Sequence, residues 1–295
     1  MKLVRRKRSR WSSTLAGTGF GESTFAEVAW GKSRAAASRW ALVGVFTGGL
    51  LALLANIPAA WVAAAVASAT DQRLVLDDAR GTIWAGSAVA VLTGGPQSRD
   101  ASALPGRIEW SLGFRALGLE LKARHACCLN GEVSVRLKPG FGRLAVSLQP
   151  SAGWVGQWPS AWLGGLGTPW NTLQLGGAVR LASPGFTVET VQGRWRVDGR
   201  ADLEFLGVSS RMTTLSTLGN YRMSLSGDGA QGGVSLLKLS TQDGALQLSG
   251  DGTLGPSGVR FRGEARAEAT DEPALNNLLN IIGRREGARS VISIG

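Results

Sequence analysis

From Trp40 to Thr70 the chain carries no charged side chain. The most apolar part, Trp40–Ile57, has 18 residues, and as a helix it rises about 27 Å against a bilayer hydrocarbon core of about 30 Å. A globular fold that buried such a segment would need helices all round it, and the rest of this sequence does not supply them. The stretch therefore reads as a membrane anchor. Gly44 and Gly48 are spaced as GxxxG, which would let a second helix approach closely. Pro58 stops the helix because proline has no amide donor and disfavours helix in the residue before it. A juxtamembrane helix then fits residues 58–70, with Trp61 at the interface, where an amphipathic ring is favoured.

Charge sets the orientation. Residues 1–39 hold nine Lys/Arg against Glu22 and Glu27, a net of +7 out of the chain's +11, so the other 256 residues carry only +4. An excess gathered beside an apolar span is the signature of a cytoplasmic tail, not of a nucleic-acid-binding surface. The small-x-small triplet Ala67-Ser68-Ala69 lies too far past the apolar block for a signal-peptidase site, which favours an uncleaved anchor. Gly31-Lys32-Ser33 ends like a phosphate loop, but the glycine needed five residues earlier is Ala26.

Beyond residue 70 the hydrophobic period falls to two. Ile108/Trp110/Leu112, Leu117/Leu119/Leu121, Val133/Val135/Leu137, Tyr221/Met223/Leu225 and Leu246/Leu248 all alternate with polar residues. One apolar and one wet face predicts antiparallel sheet. Two stretches look alike, about 81–150 and 171–255, joined by the Trp- and Gly-rich segment Gly153–Asn171. A helix is predicted over Pro273–Ile282, capped by Thr270, with an apolar stripe of Leu275, Leu278, Leu279 and Ile282 and a stop at Gly283. One short helix cannot cover so much sheet. The fold class expected over residues 71–295 is thus mainly β: an internally duplicated antiparallel sheet, curled into a sandwich or half-barrel, behind a single membrane helix.

Chemistry is scarce. His125 is the lone histidine, and Cys127 and Cys128 are the only cysteines. No catalytic group, cofactor site or metal site assembles from that inventory. Adjacent Cα atoms about 3.8 Å apart fall short of the usual disulfide span of about 4.4 Å upward, so free thiols are favoured while a strained neighbour bond stays open.

The sequence resembles the type II secretion system protein N family, also called general secretion pathway protein N. The resemblance rests on Pro58-Ala59-Ala60-Trp61; on Gly81-Thr82-Ile83-Trp84-Ala85-Gly86 with the apolar strand after it; on Leu104-Pro105-Gly106-Arg107-Ile108-Glu109-Trp110; and on Leu278–Gly283 followed by Arg284 and Arg285. It runs from about residue 40 to the end and leaves the basic tail outside. It implies an inner-membrane, non-enzymatic accessory of a machine that exports folded proteins from the periplasm. Expected partners are the other inner-membrane components and the outer-membrane secretin, with no nucleic acid. A second reading is an AsmA-like envelope protein that carries lipid along an apolar groove lined by Trp110, Leu119, Val133 and Leu246.

Overall fold

The computed structural model describes residues 40–115, 118–151, 153–191, 194–228, 234–255 and 258–295. The basic tail, the Gly31-Lys32-Ser33 decoy and Leu117 lie outside the described residues. Two compact units divide the chain at residues 55 and 56. In the first, residues 40–55 form helix α1. Its large side chains are exposed, among them Trp40, Phe46 and Leu53. Here the structure departs from the expected anchor over Trp40–Ile57. Sixteen helical residues rise about 24 Å, and no helix among the described residues is long and apolar enough to cross a membrane.

The second unit begins with α2 (Ala60–Ala69) and then forms one antiparallel sheet of 16 strands. In chain order they are β1 (Leu74–Gly81), β2 (Ala85–Thr93), β3 (Ala101–Ala103), β4 (Ile108–Arg115), β5 (Gly118–His125), β6 (Glu132–Gly140), β7 (Arg143–Leu148) and β8 (Trp154–Pro159). After α3 (Trp170–Leu173) come β9 (Leu175–Val191), β10 (Arg194–Ser210), β11 (Gly219–Asp228), β12 (Ser235–Asp243), β13 (Leu246–Gly255) and β14 (Gly258–Ala267). Helix α4 (Glu272–Ile282) leads into β15 (Arg284–Glu286) and β16 (Arg289–Ile294). Neighbours follow sequence order almost throughout, from β1 at one edge to β15 at the other, with β3 on β2 and β8 on β9 as side pairings. The sheet does not close, so it is not a complete barrel.

The period-two pattern accounts for the faces. Across β4 to β10 the register aligns Phe114, Leu119, Leu137, Val146, Val188 and Val197 in one apolar row. Further along, Leu203, Met223 and Leu239 continue an apolar row, while Glu204, Arg222 and Ser240 align on the wet face. β9 and β10 are 17 residues each, long for flat strands, and their pairing breaks register at Arg200/Asp202 and Leu206/Ser209. Gly199 and Gly207 beside those breaks have positive φ, which favours glycine, and such bulges bend and twist a strand.

The main core forms at one end of the sheet, where α4 lays Leu275, Leu278 and Leu279 on Val208, Leu218, Tyr221, Leu246 and Ala265. The helix was expected from its stripe, and proline stands in its first turn. Asp271, not Thr270, occupies the cap position, and no side chain caps the helix by hydrogen bond. Gly283 leaves it in extended conformation, and a Cβ there would lie 2.6 Å from the Val291 carbonyl oxygen. The two similar stretches do not take equivalent places: residues 105–122 supply β4 and the start of β5, whereas Arg194–Val197 and Ala201–Phe205 lie in the single strand β10. The Trp-rich joint becomes β8, a 3-10 turn over Ser160–Leu166, and α3. Trp162 is fixed there by donating from Nε1 to the Ser102 carbonyl at 2.9 Å.

Candidate functional site

The residues singled out in the sequence fall into separate groups. The first is the corner where the chain enters the sheet. Ala59 donates its amide to the Gly81 carbonyl at 3.0 Å, Ile83 donates to the Ile57 carbonyl at 3.0 Å, and Pro58 bridges Thr82. Across β2 and β4, Gly86 faces Trp110. The indole lies flat enough on Gly86 that an added Cβ would come within 2.5 Å of Cζ2. Nε1 of Trp110 donates to the Ile83 carbonyl at 3.3 Å. Trp84 stands 5.4 Å from Phe114, ring centre to ring centre. Ala59, Ala88 and Trp110 form a small core under α2, while Trp61 projects outward, 70% exposed. Beneath this corner Asp78 accepts from Arg80 and Arg107, and those hydrogen bonds hold its carboxyl below the ordinary range. Pro58, Gly81, Trp84, Gly86 and Trp110 thus lock the entering chain to the sheet.

The second group surrounds the β5–β6 turn. His125 is buried, and desolvation pushes its pKa down, which disfavours the charged ring. Its Nδ1 accepts the Cys127 amide at 3.3 Å and lies 3.2 Å from Cys127 Sγ, while Nε2 is buried without a partner. Gly106, at positive φ, passes over the ring, where a Cβ would be 3.4 Å from Cε1, and the neighbouring Pro105 is exposed. Cys127 and Cys128 are joined as a disulfide between neighbours in the turn, with Cα atoms 3.7 Å apart, which corrects the preference for thiols. The three donors of His125, Cys127 and Cys128 lie within 4.8 Å of one another. The sulfur–sulfur bond takes both thiols and the Cys127 amide takes Nδ1, so this arrangement offers an ion no ready ligand set.

The third group is at the opposite edge. Arg285 binds Glu272 at 3.2 Å, Asn276 at 3.1 Å and the Gly287 carbonyl at 2.8 Å, tying the start of α4 to β15. Arg284 is exposed on that short edge strand. Gly44 and Gly48 lie on α1, where an added Cβ would meet nothing within 4 Å.

The residues expected to line a groove are not collected into one. Trp110 and Val133 flank Ala123 across β4, β5 and β6, and Leu119 sits further along β5. Trp110 and Leu246 are covered in different cores. A cleft of about 440 Å³ opens elsewhere, on β10 to β13, lined by Arg200, Arg222, Ser224, Ser240 and Asp251 together with apolar surface that includes Leu236. Arg222 on β11 reaches Glu204 on β10 at 2.8 Å, a cross-strand ion pair, and Arg200 reaches Asp202 two residues along β10 at 2.9 Å. The sequence signal was available in the alternation of β10 and β11, which puts those charges on one face, but their concavity was not.

The model of the type II secretion system protein N family matches residues 72–293. The chain belongs to the type II secretion system protein N family. No curated protein matches it, and no solved structure does. The protein N match spans the sheet from the start of β1 into β16, including α4. Gly81 to Arg285 among the singled-out positions therefore fall inside the matched region, while Pro58, Trp61, Gly44 and Gly48 precede it. The protein is a component of type II secretion.

Proposed function

We propose that this protein N is an inner-membrane accessory of the secretion machine: residues 40–57 tether it with the N-terminus cytoplasmic, and residues 71–295 form a periplasmic docking domain for the other inner-membrane components and the secretin. The family match over 222 of the 295 residues carries the reading. The charge step between residues 1–39 and the rest supports the orientation. The domain's assets suit binding, not turnover: sheet edges at β1 and β15, exposed aromatic rings, and a cleft walled in part by ion pairs. A lipid-handling reading draws on one observation, the half-buried apolar row that runs across β4 to β10 of an unclosed sheet.

A reporter active only in the periplasm, fused after Asp71 in the full chain's context, is expected to give signal. Cells lacking the protein are expected to retain exoproteins in the periplasm, and the full chain should restore export. Unimpaired export without it, or a reporter active only in the cytoplasm, overturns the proposal. Lipid that copurifies with the protein and is needed for export moves the assignment to lipid handling.

A further inference from the structure

The hairpins of a meander alternate between its two ends, and the register shows which turns share an end. The β1–β2, β4–β5, β6–β7, β9–β10, β11–β12 and β13–β14 turns all lie at one end, together with the end of β16. Ile57 and Ala59 are bonded to the β1–β2 turn, so the chain also enters the sheet there.

Exposure is sorted by end. Of the ten exposed large hydrophobic side chains among the described residues of this unit, nine stand at the turn-bearing end; Ile281 is the exception. Phe141 is fully exposed at the β6–β7 turn, Phe114 is 80% exposed, Trp195 60%, Leu236 63% and Ile294 55%, with Trp61 beside them at the start of α2. At the other end the leucines are buried under α4 and in the core around Leu104. Among these tips Lys138, Arg194, Arg196 and Arg260 are exposed, and none is within ion-pairing distance of an acidic group among the described residues.

We propose that this end of the sheet is a membrane-binding rim, seated in the headgroup layer of an anionic bilayer. Aromatic rings with unpaired cations at turn tips match that layer on both counts, since Trp is favoured at the interface and each Lys or Arg gains from the negative surface. Their even spread over successive hairpins fits a plane better than a compact partner. The entry of the chain at the same end puts the charge-free segment before Ile57 next to the rim in sequence. The inference rests in part on the anchor assigned to residues 40–57.

The test uses the full chain in nanodiscs containing anionic phospholipid, in a Cys127→Ser/Cys128→Ser background, with one fluorophore-labelled cysteine at a time. Phe141→Cys and Trp195→Cys report the rim, Asn130→Cys the opposite end, and Leu53→Cys the anchor. Nitroxide-bearing lipids should quench the rim probes severalfold more than the Asn130 probe, and more weakly in zwitterionic nanodiscs. The Leu53 probe should be quenched by deep nitroxides. Quenching at Leu53 with rim probes no more quenched than Asn130 overturns the rim and leaves the anchor standing. Quenched rim probes without quenching at Leu53 sustain the rim and remove the anchor. Absence of both overturns both. Rim probes untouched by lipid quenchers yet shielded from iodide assign this end to a protein contact instead and overturn the proposal.

Discussion

Replacing Gly86 by alanine tests how the entering chain is held. The added methyl would sit 2.5 Å from Cζ2 of Trp110, 2.8 Å from the Arg80 carbonyl oxygen and 2.9 Å from the Thr82 carbonyl oxygen. The indole can tilt, but the two carbonyls belong to the β1–β2 turn and cannot retreat without disturbing its ladder. Overpacking of this kind costs about 1–3 kcal/mol. In a domain of this size about 2 kcal/mol lowers the melting temperature by about 4–8 °C. Trp110→Ala has a different cause and a larger cost, about 3–5 kcal/mol for emptying a buried aromatic site, and it also removes the Nε1 bond to Ile83. The double variant should be less than additive, since the ring that the alanine strikes is then gone and only the carbonyl clashes remain. Denaturant unfolding of the detergent-solubilised chain, followed by tryptophan fluorescence and far-UV circular dichroism, measures all three. A Gly86→Ala variant within about 0.5 kcal/mol of the parent, the scale of an ordinary surface change, would show that the corner yields freely and that the glycine has no packing reason.

Two further outcomes follow from the β5–β6 turn. Burial lowers the His125 pKa from its ordinary 6.5, so below that pH the unfolded chain binds more protons than the folded one, and stability should fall as pH drops from about 7 to 5; His125→Gln should flatten that slope, and an unchanged slope would place its origin elsewhere. The Cys127→Ser/Cys128→Ser variant should unfold within about 1 kcal/mol of the parent, because bonding adjacent residues closes almost no chain in the unfolded state, and it should support export at normal abundance; lost export at normal abundance would give the disulfide a functional role.

Much of the architecture is legible in the sequence because it depends on short-range rules. Alternation over Ile108–Leu112 or Tyr221–Leu225 fixes which side chains share a face whatever their neighbours are, and the stripe at Leu275, Leu278 and Leu279 specifies a helix by its own spacing. Where the sequence reading departs from the structure, a longer-range fact intervenes. Similarity between Pro105–Trp110 and Gln192–Val197 suggests matched strand pairs, yet in the second case the polypeptide runs straight on through Gly199 because a bulge bends it where the first copy turns back. Free thiols at Cys127 and Cys128 follow from the usual Cα span of disulfides, whereas the structure bonds these neighbours at a Cα separation of 3.7 Å, below that span.

The arrangement of the rim shows most directly what local patterns leave out. Phe114 obeys the same alternation as Leu112, and Trp195 the same alternation as Val197, so periodicity assigns all four to the apolar face. In the sheet Val197 is buried and Trp195 is 60% exposed, two residues away on the same strand and the same face. The difference goes with distance from the strand end: Trp195 is the second residue of β10, beside the β9–β10 turn, whereas Val197 lies further in. An apolar residue at that place gains nothing from the core, so its side chain is free to serve an external surface. That information resides in the order of strand pairing and not in any one segment. It emerges only when β4, β6, β10, β12 and β14 are aligned and their apolar tips prove to share an end. On the proposed reading the sheet supplies the rigidity and its two ends divide the work, one closed under α4 and the other carrying the exposed apolar tips.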